Sequence, residues 1–301
     1  MIHIRDAGVR STVQDRGRFD HLRSGVPPAG PADRFALAAA NALVGNSDDA
    51  AGIEIIGAPF SFSCDDARVI AVAGRDVSLS IRSRLPGWGS VFVRAAQTAT
   101  VHAGERTRFA YLAVSGGIAT TPILGSRATY LPAGLGAPLR AGDALPLGDT
   151  DAGAEDAGRR IDPITYDGQV RAMAGPHLDR FEEHAVARFF AATFVVEPAS
   201  DRQGTRLGGV PIAPRDGELL SCGIVAGAVQ VPRGGAPIVL LADHQTTGGY
   251  PVIATVIAAD LGKVAQSLPG ESLRFYRVER DDALDALRAE RRALDGARVS
   301  A

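Results

Sequence analysis

The chain has only two cysteines, Cys64 and Cys222, far apart and each in a strand-like context. That excludes a disulfide framework and a cysteine-built zinc cluster, and leaves both as buried, inert thiols. Long uncharged apolar runs are missing, as is a terminal segment with a basic start, apolar middle and small-residue cleavage site. Neither a membrane span nor a secretory signal is expected, and a cytoplasmic location follows. Lysine is scarce, the formal net charge is −2, and no basic cluster is interleaved with aromatics. The footprint of a nucleic-acid binder is therefore absent. Positive charge is carried mostly by arginine, whose fork suits carboxylates and phosphates better than a point charge does. There is no P-loop, no Gly-x-Gly-x-x-Gly opening a helix and no nucleophile elbow, since the residues around Ser115-Gly116-Gly117 do not fit one. The six histidines never stand at metal-ligand spacing from one another or from a cysteine, so no metal is expected. No lysine sits between two methionines, so the chain carries no covalent biotin.

What the chain has in quantity is glycine and proline, 35 and 18 residues, between short apolar segments. Short strands joined by turns follow, giving a mainly β fold with a few short helices. Strands are expected at residues 1–4, 69–73, 77–81, 91–93, 98–101 and 108–114, with a longer apolar run over 53–62. Asp33 is a good N-cap for a helix over Arg34–Val44, and Gly45 a good stop. Phe181, Val186, Phe189 and Phe190 recur at helical spacing within 178–192, and the tail from Asp281 to Arg298 reads as a solvated helix. Residues 149–160, DTDAGAEDAGRR, lose hydrophobicity and gain charge. They mark a boundary between an N-terminal domain, 1–160, and a C-terminal domain, 161–301, with a helical tail at 281–301.

Three polar stretches could hold chemistry. Residues 6–33 form a long irregular segment, either a loop lining a site with Gln14, Asp15, Arg16 and Asp33 or an Ω-like surface loop held by internal Asp–Arg pairs. SDRQGTRLGG at 200–209 contributes Asp201, Arg202 and Arg206. The stretch at 240–260 places Asp243, His244, Gln245, Thr246, Thr247, Gly248, Gly249, Tyr250 and Pro251 between two apolar runs, Ile238–Ala242 and Val252–Ala259. The paired glycines allow positive φ and close approach of a backbone, and Pro251 stiffens re-entry into the next strand. An ordinary hairpin with polar turn residues would read the same way.

GVRSTVQDRGRFDHLRSGVPPAGPAD at 8–33, ANALVGN at 40–46, LGSRATY at 124–130, SDRQGTRLGG, and LLADHQTTGGYPVIATVIAADL at 240–261 occur in one order. In that order they resemble the biotin-dependent carboxyltransferase-like family, which includes the C subunit of 5-oxoprolinase, the Kip-type antagonist of a kinase inhibitor and the so-called allophanate hydrolase subunit 2. The chain departs from that pattern at Ala32, Gln203 and Thr205 and over GLGAPLRAGD at 134–143. The resemblance implies two cyclophilin-like β-barrel domains with a cleft between them or at the partner interface. It further implies a protein that, with the A and B subunits of 5-oxoprolinase and ATP at the level of the complex, opens a small cyclic amide, 5-oxo-L-proline, to L-glutamate. In that setting Asp243, Asp201 and Arg202 are the candidate catalytic residues, one aspartate positioning a proton acceptor. Gln14, Asp15, Arg16, Asp33, Arg206, Gln245, Thr246, Gly248, Gly249 and Tyr250 are the candidate substrate-binding residues. The family also implies two alternatives: a component moving a carboxyl group from carboxybiotin to urea or a small amide, or a non-catalytic antagonist that binds a Kip-type kinase inhibitor.

Overall fold

In the computed structural model, which describes residues 1–299, the chain is mainly β and divides into two compact units. Unit 1 comprises Met1–Arg18, Ala29–Ile164 and the end of the chain from Glu290; unit 2 comprises Phe19–Pro28 and Thr165–Ala289.

The strands of unit 1 are β1 (Ile2–Ala7), β2 (Arg10–Gln14), β3 (Gly52–Ile56), β4 (Phe60–Cys64), β5 (Arg68–Gly74), β6 (Val77–Ser80), β7 (Arg84–Pro86), β8 (Gly89–Val93), β9 (Ala99–Ala103), β10 (Ala110–Val114) and β11 (Ala144–Leu145). They make two sheets, ordered β11-β1-β4-β9-β6-β7 and β2-β3-β10-β5-β8. Ile2, Ile4, Phe60, Phe62 and Val101 of the first meet Val13, Ile53, Ile70, Val72 and Leu112 of the second in one core. All seven residues of β5 are buried, because helix α1 (Arg34–Leu43) covers the face turned away from that core. α1 begins where expected: Asp33 Oδ1 accepts the Ala36 N–H at 3.1 Å, and Gly45 takes the left-handed conformation (φ 76°) after its last turn. The helix start is also tied to the sheet below. Tyr111 Oη donates to Glu54 Oε2 (2.9 Å) and accepts the Asp33 N–H (2.7 Å), while Glu54 Oε2 also accepts the Ala32 N–H (2.8 Å). Burial, reinforced by the charges of Glu54 and Asp33, pushes the Tyr111 phenol well above its ordinary range.

Two expectations for unit 1 need correction. The segment 6–33 is not irregular throughout, since β1 runs to Ala7 and β2 occupies its first third. β2 escaped the alternation test because Ser11, Thr12, Val13 and Gln14 are all buried; a strand burying polar groups on both faces shows no period of two. The run 53–62 is two strands, broken at Gly57-Ala58-Pro59.

Unit 2 contains β12 (Gln169–Ala174), β13 (Thr193–Val196), β14 (Gly204–Gly209), β15 (Cys222–Gly223), β16 (Ala228–Gln230), β17 (Ile238–Leu240), β18 (Thr247–Gly248), β19 (Val252–Val256) and β20 (Ser272–Arg277). Seven of them close into a barrel, β12-β19-β16-β17-β14-β13-β20, with β20 returning parallel to β12. Helices α2 (Glu183–Ala191) and α3 (Leu261–Gln266) accompany the strands, and α4 (Arg280–Val299) begins in this unit. Phe189 of α2 stacks on Phe275 at 4.9 Å and lies 5.5 Å from Phe194, centroid to centroid. α2 is shorter than its sequence pattern, with a separate 3-10 turn at Leu178–Arg180 before it. The apolar run 252–259 is also shorter as a strand: it ends at Val256 and turns through Ala258–Asp260 into α3. β16 lies between β17 and β19, so the polar stretch 241–251 is not the turn of a hairpin. Of the cysteines, Cys64 is buried and its thiol is pushed up to about 11, chiefly by burial; Cys222 is only partly buried, contrary to expectation.

Asp260 is fully buried and takes Arg171 N (2.7 Å), Nε (2.9 Å) and Nη2 (2.8 Å). Burial alone would raise its pKa, but the hydrogen bonds from Arg171 and the charges of Lys263 and Arg171 outweigh it, holding the carboxyl below its ordinary value. A carboxyl depressed in the folded state stabilises above its unfolded pKa, about 3.9, and that stability fades as pH falls through the folded value. Urea titrations from pH 6 down to pH 2 will show a shallower loss of stability below about pH 4 for Asp260→Asn than for the wild type. Tyr111→Phe will lower unfolding free energy by about 1–3 kcal/mol with an unchanged m value, because a buried acceptor and a buried donor lose their partner together.

Candidate functional site

In unit 1 the start of the first polar segment is bound to LGSRATY through Asp15, Gln14 and Arg18. Asp15 is 6% exposed; Oδ1 accepts Ser126 Oγ (2.5 Å) and the Gly17 N–H (2.9 Å), and Oδ2 accepts the Arg127 N–H (2.5 Å). Gly30 (φ 82°) lies so close beneath that a Cβ there would stand 3.1 Å from the carbonyl oxygens of Asp15 and Arg16. Beside Asp15, Gln14 donates from Nε2 to Thr12 Oγ1 (3.0 Å) and the Thr129 carbonyl (3.2 Å), leaving Oε1 buried with no partner. Arg18 is buried as well, and its donors go to the carbonyls of Ile123 (Nε, 3.1 Å) and Ala128 (Nη2, 2.8 Å). Internal Asp–Arg pairs are thus not what holds the segment. Arg16 is exposed and pairs with Asp49 at 3.1 Å, and Asp33 is the cap of α1.

In unit 2 the segments around 202 and 243 meet. Asp201 Oδ1 accepts the N–H groups of Gln203 (2.8 Å) and Gly204 (3.2 Å), an Asx turn that carries Arg202 inward. Arg202 then forks onto Asp243, Nε to Oδ2 at 2.8 Å and Nη2 to Oδ1 at 3.0 Å, with both side chains nearly buried. The backbones follow, Asp243 N–H to the Arg202 carbonyl at 2.9 Å and Leu241 N–H to the Gln203 carbonyl at 2.9 Å. Arg206 is exposed on β14. Beyond Asp243 the loop is spanned by two amides: Gln245 Nε2 donates to Gln230 Oε1 (2.9 Å), and Gln230 Nε2 reaches the Tyr250 carbonyl (3.4 Å). The carbonyl of Thr246 accepts the Ile224 N–H at 3.0 Å, and Gly248 pairs with Cys222 in the β15–β18 ribbon.

Gly249, Tyr250 and Pro251 then line a cavity of about 570 Å³ with Arg180, Arg215, Glu218, Leu220 and Arg233. Arg215 is held by both oxygens of Glu182 (2.9 and 3.1 Å), and Arg180 donates to the Glu218 carbonyl. The hydrogen bond and charge of Arg215 keep the Glu182 carboxyl below its ordinary pKa. The Arg233 side chain has no hydrogen bond or ion pair among the described residues and faces this basin as an uncommitted cation. Asp201, Arg202, Arg206 and Asp243 do not line it. Sequence reading missed Gln230, Arg180 and Arg233. The only signal for Gln230 was a polar residue closing the short apolar strand AVQ, and a lone arginine after a proline carries none.

The family described as carboxyltransferase domain, subdomain A and B, matches residues 24–277. The 5-oxoprolinase C subunit of Escherichia coli is 35% identical over 97% of this chain and 96% of its own length. The Haemophilus influenzae protein of the same name is 34% identical over 98% and 97%. Urea amidolyase of Saccharomyces cerevisiae is 28% identical over 91% of this chain, which spans only 16% of that enzyme. Among solved structures, TTHA0988 superposes with a TM-score of 0.83 at 31% identity over 91% of this chain and 55% of its own. Urea amidolyase of K. lactis superposes with a TM-score of 0.88 at 27% identity over 98% of this chain and 20% of its own.

Removing one member of a nearly buried ion pair strands the other away from water. Asp243→Ala will lower unfolding free energy by about 3–5 kcal/mol, while Asp201→Ala, on an exposed turn, will cost about 1 kcal/mol, both read by chemical denaturation.

Proposed function

Because the chain belongs to the carboxyltransferase domain family of subdomains A and B, we propose that it is the C subunit of a cytoplasmic ATP-dependent 5-oxoprolinase, which opens 5-oxo-L-proline to L-glutamate with its A and B subunits. One observation carries this reading: the correspondence with the bacterial C subunits runs end to end, whereas the chain spans a small part of the fungal amidolyases. The reaction is balanced by one water that opens the lactam and one consumed as ATP becomes ADP and phosphate. Amide resonance protects the ring, so its carbonyl carbon must be made more electrophilic before water attacks. Phosphorylation of the amide oxygen by ATP, with ADP leaving, would do this: one water adds to the ring carbon, the C–N bond breaks to leave an acyl phosphate and a free amine, and the second water releases phosphate and glutamate. ATP is assigned at the level of the complex.

The part left to this chain is to hold an anionic substrate or intermediate. In unit 2 that role falls to the arginine-lined basin, where Arg233 offers uncommitted N–H donors and Tyr250, half exposed, a phenol. Asp243 spends both carboxylate oxygens on Arg202, so the pair is a positioning device that fixes the base of the 243–251 loop. Asp201 engages only one oxygen in its turn but does not line that basin, so no proton-acceptor role is assigned to it.

Reconstituting the chain with the A and B subunits and assaying glutamate release from 5-oxo-L-proline and ATP tests the reading. Release will require this chain; undiminished release without it would end the proposal. Arg233→Ala will lower kcat/KM by about 10–100-fold, chiefly through KM, without changing stability, as expected for one charge-assisted contact of about 1.5–3 kcal/mol. The likeness to urea amidolyase favours a second reading, carboxyl transfer from carboxybiotin. Carboxybiotin turnover stimulated by urea, with no phosphate released, would select it.

A further inference from the structure

Unit 1 encloses a second cavity, of about 250 Å³, between β2 and the LGSRATY segment. Arg18 lines it, only 1% exposed, and one arm of its guanidinium, Nη1, is buried without a partner. Its other donors are spent on the Ile123 and Ala128 carbonyls. Burial lowers the Arg18 pKa, partly opposed by the charge of Asp15, as expected of a cation whose hydration has been removed and incompletely replaced. A desolvated guanidinium with an idle N–H gains a charge-assisted bond from any anion small enough to reach it.

The rest of the lining limits what that anion is. Val13, Leu139 and Leu145 give the cavity an apolar wall, and Thr121 a hydroxyl at its exposed side. Two carboxylates stand near, Asp15 and Asp143, the first bound to Ser126 and Arg127 and the second accepting the Arg140 N–H at 2.7 Å. Arg127, the other cation of the lining, spends Nε on the Thr120 carbonyl (2.7 Å). With Asp15 and Asp143 offsetting part of the charge of Arg18 and Arg127, the cavity balances a single negative charge and not two. An apolar wall requires a hydrocarbon body behind that charge. We infer that unit 1 holds a binding site for a small organic monocarboxylate, its carboxylate on Arg18 Nη1 and its hydrocarbon part against Val13, Leu139 and Leu145. 5-Oxo-L-proline is such a molecule, but the function proposed above gives its substrate to the basin of unit 2, and this site does not depend on that function.

Cyclopentanecarboxylate is a probe with the charge and the body but no lactam. Titrated into the full chain and followed by isothermal titration calorimetry, it will bind, and inorganic phosphate will bind at least 10-fold more weakly. Ala137→Trp, at an exposed position of the cavity wall, will weaken cyclopentanecarboxylate at least 10-fold with an unchanged melting temperature. Arg18→Met will do the same where it folds. No binding of the probe, equal binding of phosphate, or binding unaffected by Ala137→Trp would overturn the site. 5-Oxo-L-proline competing with the probe would add the substrate to the assignment. Absence of glutamate release from the reconstituted complex, with probe binding intact, would remove the proposed function and leave the site standing.

Discussion

A carboxylate taken out of water must have its hydration replaced by donors, at a penalty of several kcal/mol where it is not. Four aspartates and glutamates in this protein meet that demand with groups distant in sequence. Asp15 takes Ser126 and Arg127, Glu54 takes Ala32 and Tyr111, Asp243 takes Arg202, and Asp260 takes Arg171. Asp15 and Asp243 lie just past the ends of strands, Asp260 at the start of α3, and Glu54 inside β3, from which it holds the residues before α1. Stretches rich in glycine and proline, with no ladder of their own, are thereby fixed onto the sheets. The hydrophobic cores would form without these bonds, since sheets and barrel bury their apolar faces independently of them. Removing any of the four would release a loop while leaving a strand in place.

The same demand identifies where the protein is incomplete. Among the described residues, four buried side-chain atoms have no partner: Gln14 Oε1, Arg18 Nη1, Arg159 Nε and Thr205 Oγ1. A neutral hydroxyl or amide oxygen left this way costs about 1–3 kcal/mol, whereas a charged donor costs more. Arg159 still donates from Nη2 to Asp156 at 2.9 Å, an ion pair that offsets its idle Nε. Arg18 has no carboxylate bond, only carbonyls, so its charge is the least compensated of the four. Alternation along β2 turns Val13 and Gln14 to opposite faces, and Val13 belongs to the wall of the Arg18 cavity. The idle oxygen of Gln14 thus belongs to different surroundings from the idle nitrogen of Arg18.

How much of this was legible in the sequence depended on whether a signal was local. α1 was readable because cap, apolar stripe and stop all lie within a dozen residues, and Asp33 behaves as the cap its position suggested. α3 was not, since VIATVIAADLGKVA is predominantly apolar and a buried strand passing into a buried helix shows no change of period. The hairpin reading of 238–256 failed for a topological reason: the insertion of β16 between two sequential strands is a long-range event with no local mark. Motif order, by contrast, gave the family directly. It also singled out LGSRATY and the N-terminal segment together, and the Asp15 bonds supply the physical reason for their joint occurrence. What the motifs did not separate was role. Arg202 and Asp243 stand in two different motifs, yet each spends its fork on the other.

That separation bears on the arginine bias of the chain. From composition, guanidinium groups suggested a protein built to grip anions. Most of them grip the protein itself. Arg68 divides its donors among both oxygens of Asp66 and the carbonyls of Ser115 and Gly148; a lysine, with three donors at one point, could not span those positions. Arg171 supplies side-chain and backbone donors to one carboxylate, and Arg202 joins two loops through a bidentate fork. The near-absence of lysine thus has a structural cause before it has a functional one: fixing irregular loops requires several directed donors on one planar group. An arginine speaks for a ligand only after its internal bonds have been subtracted. Within the two cavities, that subtraction singles out the exposed Arg233 in the basin of unit 2 and a buried arm of Arg18 in unit 1, two cationic groups in very different dielectric surroundings. The exposed group is screened by solvent and attracts broadly, whereas the buried one selects by size and charge.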